Sequence, residues 1–204
     1  MNTVRFNGVE IAPMKIVCVG RNYVEHSEEL DNKVPEQAVI FVKQNSSISN
    51  EVRFLPQEII HYEGEITFLI RSGKIAGVGF GLDLTKRDLQ KNLQQDGLPW
   101  ERAKSFNGSA IFSEFVGFDG ELSSLNMELS INGELKQQGG YDLMLNKPEF
   151  LLEDIATFMT LQDNDLLMTG TPKGVGPIHQ GDNISGRILQ GDNILVEAGW
   201  TVRL

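Results

Sequence analysis

Residues 124–138 read SLNMELSINGELKQQ, and this stretch restricts the fold more than any other. Leu125, Met127, Leu129 and Ile131 alternate with polar residues and run into Asn132-Gly133. A period of two puts the four apolar side chains on one strand face, and Asn-Gly supplies the positive φ angles of a two-residue hairpin turn. A hairpin with one apolar face needs a second apolar layer to cover it. Other short runs can supply that layer: KIVCVG (15–20), AVIFVK (38–43), EIIHYEGEITFLI (58–70) and KIAGVGFGL (74–82) all read as strands. The chain holds 21 Gly in 204 residues, which suits the many tight turns such strands require.

Helical period is confined to three places. EHSEEL (25–30) is short and acidic. KRDLQKNLQQ (86–95) carries Leu89 and Leu93 four apart, with Thr85 as its expected N-cap. FLLEDIATFM (150–159) repeats at Leu151, Ile155, Phe158 and Met159, with Pro148 upstream. GDNI occurs at Gly181 and again at Gly191, and reads as two similar turn-to-strand transitions. No low-complexity linker interrupts the chain. The expectation is a mainly β fold with short helices (α+β), as one domain over residues 1–204.

Charge narrows the partners. Eighteen Lys and Arg against 28 Asp and Glu give a formal net charge of −10, which disfavours non-specific binding to nucleic acid or to an anionic membrane. Cys18 is the one cysteine, so no internal disulfide can form and a reducing, cytoplasmic location is expected. No apolar run is long enough for a membrane-spanning helix.

The chemistry concentrates in HYEGEITFLI. Glu63 and Glu65 are two apart in a strand, so both carboxylates share a face, and Gly64 between them is expected to leave the other face open. Alone, Glu-x-Glu reads as a solvated strand face. Here it leads into Ile66, Phe68 and Ile70, and two adjacent carboxylates in an interior strand repel unless a cation or protons neutralise them. A third, Asp83, ends the strand GVGFGLD. Three carboxylates at strand ends suit a hard divalent cation, Mg2+ or Mn2+, with positions left for water and ligand. Zinc is disfavoured, because neither Cys18 nor a His pair has ligand spacing.

His26 and Glu29 are three apart on an expected helical turn, hence on one face, and such a pair can share a proton and activate water. Among acidic neighbours the same pair also fits a plain surface helix. Lys43, Arg87, Gln90 and Lys104 read singly as solvated polar groups. Together they can supply the positive and polar contacts that a keto acid or dicarboxylate needs. TGTPKGVG (169–176) lacks P-loop spacing, GVGFG (77–81) lacks dinucleotide spacing, and HYEGE is not H-E-x-x-H. Cys18, in an apolar strand, reads as a buried structural thiol.

Laid out in order, the blocks CVGRNYVEH (18–26), IFVK (40–43), HYEGE (61–65), LDLTKRDLQ (82–90), GLPWERAKSF (97–106), INGELKQQG (131–139) and TGTPKGVGP (169–177) resemble the fumarylacetoacetate hydrolase family, nearest its small acylpyruvate hydrolases. The resemblance implies a mixed β-roll, a homodimer, and a Mg2+ or Mn2+ centre that takes a 2-oxo acid or 1,3-diketo acid. It implies Glu63, Glu65 and Asp83 as metal ligands. His26 and Glu29 become the water-activating pair on a helix that orders over the ligand, within residues 21–36. Lys104 would stabilise the enolate of pyruvate, and Arg21, Lys43, Arg87, Gln90 and Thr171 would hold the ligand. The implied reaction is hydrolysis of a carbon–carbon bond in an acylpyruvate. Oxaloacetate decarboxylation and isomerisation of an unsaturated 2-oxo diacid are the alternatives on the same site, and a non-catalytic metal- or oxo-acid-binding protein is the alternative of another class.

Four positions depart from that pattern. RSGKIAG makes a compact turn after Glu65, Lys86 precedes Arg87, Tyr141 follows the hairpin, and Asn164 stands in QDND where Gly is common. Tyr141 is expected to bear on pocket size.

Overall fold

The computed structural model describes residues 1–29 and 36–204, and of residues 26–28 the backbone only. The expected runs form strands β1 (Lys15–Gly20), β2 (Val39–Gln44), β3 (Ile60–Tyr62), β4 (Gly64–Arg71), β5 (Lys74–Asp83), β6 (Ala110–Phe112), β7 (Leu125–Ile131), β8 (Glu134–Gly140), β9 (Leu166–Met168), β10 (Asn183–Gln190) and β11 (Asn193–Thr201). Helices are α1 (Val24–Glu29), α2 (Arg87–Gln95), α3 (Glu101–Lys104) and α4 (Pro148–Ala156). The fold is mainly β with short helices, as expected. Leu30, the last residue of the expected EHSEEL helix, lies outside the described residues.

The large sheet runs β2-β1-β9-β4-β5-β6 and ends on the short strand Ile48–Ser49. Its pairs are antiparallel except β9 with β1 and β6 with Ile48–Ser49. The second sheet runs β8-β7-β10-β11, antiparallel throughout. Asn132 (φ 52°) and Gly133 (φ 82°) make the Asn-Gly hairpin. Its apolar face, Met127 and Leu129 among it, closes over Ile66, Phe68, Phe80 and Leu82 of the large sheet to form the main core. Both GDNI copies are turns into strands, with Gly181 at φ 88° and Gly191 at φ 58°.

GVGFG is a strand face and not a ligand loop. Val78, Phe80 and Leu82 of β5 enter the main core, while Gly77, Gly79 and Gly81 face the other way. A Cβ on Gly79 would stand 2.9 Å from Phe115 Cδ1, so the absence of a side chain lets the ring lie on the strand. Val4, Ile16, Leu69, Phe115 and Met168 make a second core on that side.

Three expectations change. The run 58–70 is two strands: β3 pairs with Thr85–Lys86 and with Gly176–Pro177, whereas β4 joins the large sheet. Glu63 stands at this crossing between sheets. Thr85 is not a helix cap but part of a short strand, and α2 starts at Arg87. Gly64 does not leave an open face either: a Cβ there would meet Met127 Cε at 2.7 Å and Leu129 Cδ1 at 3.0 Å. The glycine lets the hairpin sheet approach the acidic strand.

The departures from the family pattern have local causes. Ser72 (φ 51°) and Gly73 (φ 70°) form the tight turn between β4 and β5. Asn164 sits at φ 72°, a region Asn tolerates well, and its Oδ1 accepts from Arg71 Nε at 3.1 Å and Nη2 at 3.0 Å. Lys86 donates to Glu58 at 2.8 Å. Tyr141 carries the Lys147 ammonium 4.7 Å from its ring centroid and directs its hydroxyl to Glu149 at 3.3 Å, toward α4.

Candidate metal centre

In the β4–β5 pair Gly64 lies opposite Leu82 and Glu65 opposite Gly81, so the start of one strand meets the end of the other. That register brings Glu63, Glu65 and Asp83 to one place, helped by the Asp83 N–H, which donates to the Glu63 carbonyl at 2.9 Å. One oxygen from each carboxylate lies within 4.8 Å of the others, and the three residues are 4%, 2% and 1% exposed.

Three cations surround them. Lys104, at the end of α3, donates to Glu63 Oε2 at 2.8 Å, Asp83 Oδ2 at 2.7 Å and Thr85 Oγ1 at 2.7 Å. Lys43 is fully buried at the end of β2. Its ammonium lies 2.8 Å from Asp83 Oδ1 and donates to Ser109 Oγ at 3.0 Å, the Ser109 carbonyl at 3.1 Å and the Lys104 carbonyl. Arg87 opens α2 with its fork divided: Nη2 to Glu63 Oε1, Nη1 to Gln90 Oε1 at 2.7 Å, and Nε to His61 Nδ1 at 3.4 Å. Because His61 Nδ1 accepts, its ring proton belongs on Nε2. Burial, and then the Arg87 charge, lower the His61 pKa and keep the ring neutral.

The carboxylates act on one another. Burial pushes the Glu65 pKa well up, and Asp83 and Glu63 push it further. Lys104 and the Gly170 N–H, which donates to Glu65 Oε2 at 2.7 Å, oppose the rise. For Lys104, burial alone would lower the pKa, but the Asp83 and Glu63 charges outweigh it and the ammonium is held on. Asp83 Oδ1, although ion-paired with Lys43, has no bond of proper hydrogen-bond geometry. A buried carboxylate oxygen short of a directed donor, beside two more carboxylates, fits a hard divalent cation. Glu63, Glu65 and Asp83 are the residues that would hold it.

The remaining expected residues lie around this centre. Thr171 Oγ1 donates to the Gly64 carbonyl at 2.9 Å, directly behind the acidic pair. Glu29, on α1, accepts from the Gly174 N–H at 3.1 Å through Oε1 and 3.2 Å through Oε2, and Glu25 pairs with Lys173 at 3.1 Å, so TPKGVG seats this helix. His26 lies one turn earlier on the same helix, and its side chain is outside the described residues. Arg21 takes a left-handed backbone (φ 57°), a strained state for a non-glycine residue. Its guanidinium lies 5.9 Å from the Trp100 ring centroid. Trp100 packs on Phe41 at 5.8 Å, and the Lys104 ammonium lies 5.2 Å from the Phe41 centroid. Thus six expected residues, Glu63, Asp83, Lys43, Lys104, Arg87 and Gln90, form one network of ion pairs and hydrogen bonds. Glu65 and Thr171 stand beside it, held to the Gly170 N–H and the Gly64 carbonyl, while Glu29 and Arg21 lie toward TPKGVG and Trp100.

Thr85 and Ser109 also belong to the network, and Gln137 binds Gly64 and Thr171 beside it; none of the three is an expected site residue. Thr85 and Ser109 carry no pattern of their own. Gln137 does, because it is the cross-strand partner of the inward-facing Leu129 and so faces inward itself. Cys18 is buried, as expected, and burial followed by the Asp83 charge raises its pKa well above the ordinary thiol range.

The chain matches the family description "Fumarylacetoacetate (FAA) hydrolase C-terminal" over residues 15–203. It is 36% identical over 189 residues to the oxaloacetate tautomerase YcgM of Escherichia coli, covering 84% of this chain and 86% of that one. Identity is 32% over 238 residues to a mitochondrial oxaloacetate tautomerase of Saccharomyces cerevisiae, covering 93% and 92%. Among solved structures, fumarylpyruvate hydrolase from Pseudomonas aeruginosa in complex with Mn2+ and pyruvate superposes with a TM-score of 0.90 at 26% identity, covering 100% and 96%. With a match spanning nearly the whole chain and the acidic triad assembled in its core, the chain belongs to the fumarylacetoacetate hydrolase family.

Proposed function

We propose that this chain is a divalent-metal-dependent enzyme that interconverts the keto and enol forms of a 2-oxo diacid, with oxaloacetate as its substrate. The observation that carries the reading is the charge balance of the site. Three carboxylates stand against the cations Lys43, Lys104 and Arg87, so the cluster is formally neutral. Adding a divalent cation leaves two positive charges, which match the two carboxylates of oxaloacetate. A monoanionic acylpyruvate would neutralise only half of that. The tautomerase relatives support the same choice.

Mg2+ or Mn2+, held by Glu63, Glu65 and Asp83, would supply Lewis-acid polarisation of the 2-oxo acid. The protein's own groups do the rest. Lys104, kept charged by Asp83 and Glu63 and with its three hydrogens engaged by Glu63, Asp83 and Thr85, stabilises the C2 oxygen through its charge as negative charge builds there. Arg21 meets the distal carboxylate. Glu29 removes a proton from C3 with His26 as its partner, the C2 oxygen takes a proton from water, and the hydroxide left recovers its proton from Glu29, so the enol forms and both the water and the base are restored. Arg87, braced by Gln90, and Lys43 hold Glu63 and Asp83 in place. A homodimer and a cytoplasmic location belong to the same proposal.

Acylpyruvate hydrolysis is the second reading, supported by the solvent-exposed Glu29 and by the likeness to fumarylpyruvate hydrolase. There Glu29 takes its proton from water, the hydroxide adds to the distal carbonyl, and the enolate of pyruvate leaves.

The test follows the ultraviolet absorbance of enol-oxaloacetate, and in parallel of acetylpyruvate, with Mg2+ and with EDTA. The proposal expects enol decay that EDTA stops. It expects Glu29→Gln to slow that decay by about two to four orders of magnitude, the usual contribution of a general base. Consumption of acetylpyruvate alone moves the assignment to the hydrolase. Pyruvate formed from oxaloacetate at an undiminished rate by Glu29→Gln identifies a decarboxylase instead, since loss of CO2 needs no proton removed.

A further inference from the structure

Gln137 is 1% exposed in the middle of β8 and makes three hydrogen bonds through one amide. Its Oε1 accepts from the Gly64 N–H at 2.8 Å. Its Nε2 donates to the Pro172 carbonyl at 2.8 Å and to Thr171 Oγ1 at 2.8 Å. Thr171 in turn donates to the Gly64 carbonyl at 2.9 Å.

Elementary chemistry settles the direction of every bond in this ring. A peptide N–H only donates and a peptide carbonyl only accepts, so Gly64 and Pro172 fix which end of the amide is oxygen. Thr171 must then accept from Nε2 and direct its own hydrogen to the Gly64 carbonyl. A hydroxyl has one hydrogen and two acceptor sites. With the hydrogen and one acceptor site engaged, Thr171 retains a single acceptor site.

We propose that Gln137 is a positioning residue for the metal centre: it ties Gly64, the residue between Glu63 and Glu65, to the Thr171–Pro172 loop, and so sets the spacing of two acidic ligands. Gly64 cannot shift without carrying both neighbours. The adjoining Gly170 N–H holds Glu65 Oε2, so the loop that Gln137 ties to Gly64 also holds the carboxylate of the next residue. A second consequence follows for Thr171. Its hydroxyl offers a ligand an acceptor and no hydrogen, so it receives an O–H group, such as an enol or a water, and gives nothing to a carboxylate. The proposal rests on the metal and oxo-acid reading above.

The test is Mn2+ titration of the full chain by calorimetry, for wild type, Gln137→Met, Thr171→Val and Thr171→Ser, with melting in EDTA to confirm folding. Outer-shell partners of metal ligands typically contribute ten- to hundredfold in metal affinity. Gln137→Met is expected to weaken Mn2+ binding by about that factor. Thr171→Val should weaken it less, and Thr171→Ser, which keeps the hydroxyl, should match wild type. A folded Gln137→Met protein that binds Mn2+ like wild type overturns the proposal. Where Gln137→Met fails to fold, the threonine pair decides: a loss confined to Thr171→Val upholds it, and wild-type affinity in both overturns it. Wild type without Mn2+ affinity overturns this proposal and the proposed function together, whereas unaltered affinity in the variants overturns this one alone.

Discussion

Lys43→Met separates two roles for a fully buried lysine. The Lys43 ammonium stands 2.8 Å from Asp83 Oδ1 and otherwise meets Ser109 and a peptide carbonyl, so its position makes it the counter-charge of Asp83. Removing one member of a buried ion pair costs about 3–5 kcal/mol, because the other charge is left uncompensated. Asp83 keeps a second cation, Lys104, at 2.7 Å, which places the expected loss near the lower end of that range. At roughly 2–4 °C per kcal/mol for a chain of this size, the metal-free protein should melt about 6–12 °C lower. Divalent metal should restore much of this. Taking a positive charge away from the cation site removes a repulsion, so Mg2+ affinity should hold or rise in the variant. A saturating ion, at a hundred times its dissociation constant, adds about 2.7 kcal/mol. Calorimetric melting of wild type and Lys43→Met, in EDTA and in Mg2+, measures both effects. A lysine whose task is to hold substrate behaves the other way, with little change in the EDTA melt and a raised KM for oxaloacetate. A melting temperature in EDTA within about 2 °C of wild type, less than one kcal/mol on the same scale, would refute the counter-charge role.

Metal affinity should fall with acidity, and Glu65 should set the fall. Its pKa is raised chiefly by burial and then by Asp83 and Glu63, so below that raised value a proton occupies the site and an incoming cation must displace it. The sign for stability follows from linkage. A carboxyl whose folded pKa lies above its unfolded value, near 4.3 for Glu, contributes stability below the unfolded value and loses it as pH rises through the folded one. The metal-free protein should therefore lose this contribution as pH rises across that window, while the metal-loaded protein should not. Calorimetric titrations in buffers of different ionisation enthalpy count the protons released, and a proton count of zero at every pH would refute the assignment. At Asn164, with φ 72°, replacement by Ala should cost about 1–2 kcal/mol of backbone strain, apart from the lost Arg71 contacts. Asn164→Gly loses the same contacts without that strain, so equal urea midpoints for the two variants would rule out strain as the cause.

Legibility in the sequence tracked how local each cause was. The Asn132-Gly133 turn and the alternation before it depend on neighbours in the chain, and both formed as expected. The short acidic helix formed too, because i, i+3 spacing is a local property. The split at Glu63 was not legible. Residues 58–70 keep one unbroken strand pattern, and only pairing with Thr85–Lys86 on one side of Glu63 and with β9 and β5 on the other divides them. Thr85 departs from its expected cap role for the same reason. A threonine before a helical period resembles a cap, yet here a long-range strand partner, His61, claims its backbone. The role of Gly64 also came from a distant element, since Met127 and Leu129 lie on a hairpin more than sixty residues away. Gln137 carries a signal of its own in the sequence. Once Leu129 is placed inward, its cross-strand partner must be inward as well, and a glutamine there needs buried hydrogen-bond partners.

The same physics explains how three carboxylates can be gathered in a core before any cation arrives. Each buried charge carries a desolvation penalty that only close, well-directed partners can offset. Here every partner comes from a different element: Lys43 from β2, Lys104 from α3, Arg87 from α2, and the Gly170 N–H from the loop after β9. No one of these contacts is local, so the acidic cluster becomes tolerable only when the elements around it are docked. The arrangement also limits what can be bound. With the cations already matched to the carboxylates, the excess charge a bound divalent ion would create is free to attract an anion, and a dianion would answer it in full. Charge alone therefore ranks a 2-oxo diacid, oxaloacetate among them, above a monoanionic acylpyruvate. Replacing Lys104 by a neutral residue should narrow that preference by removing one positive charge from the side where the ligand's C2 oxygen would lie.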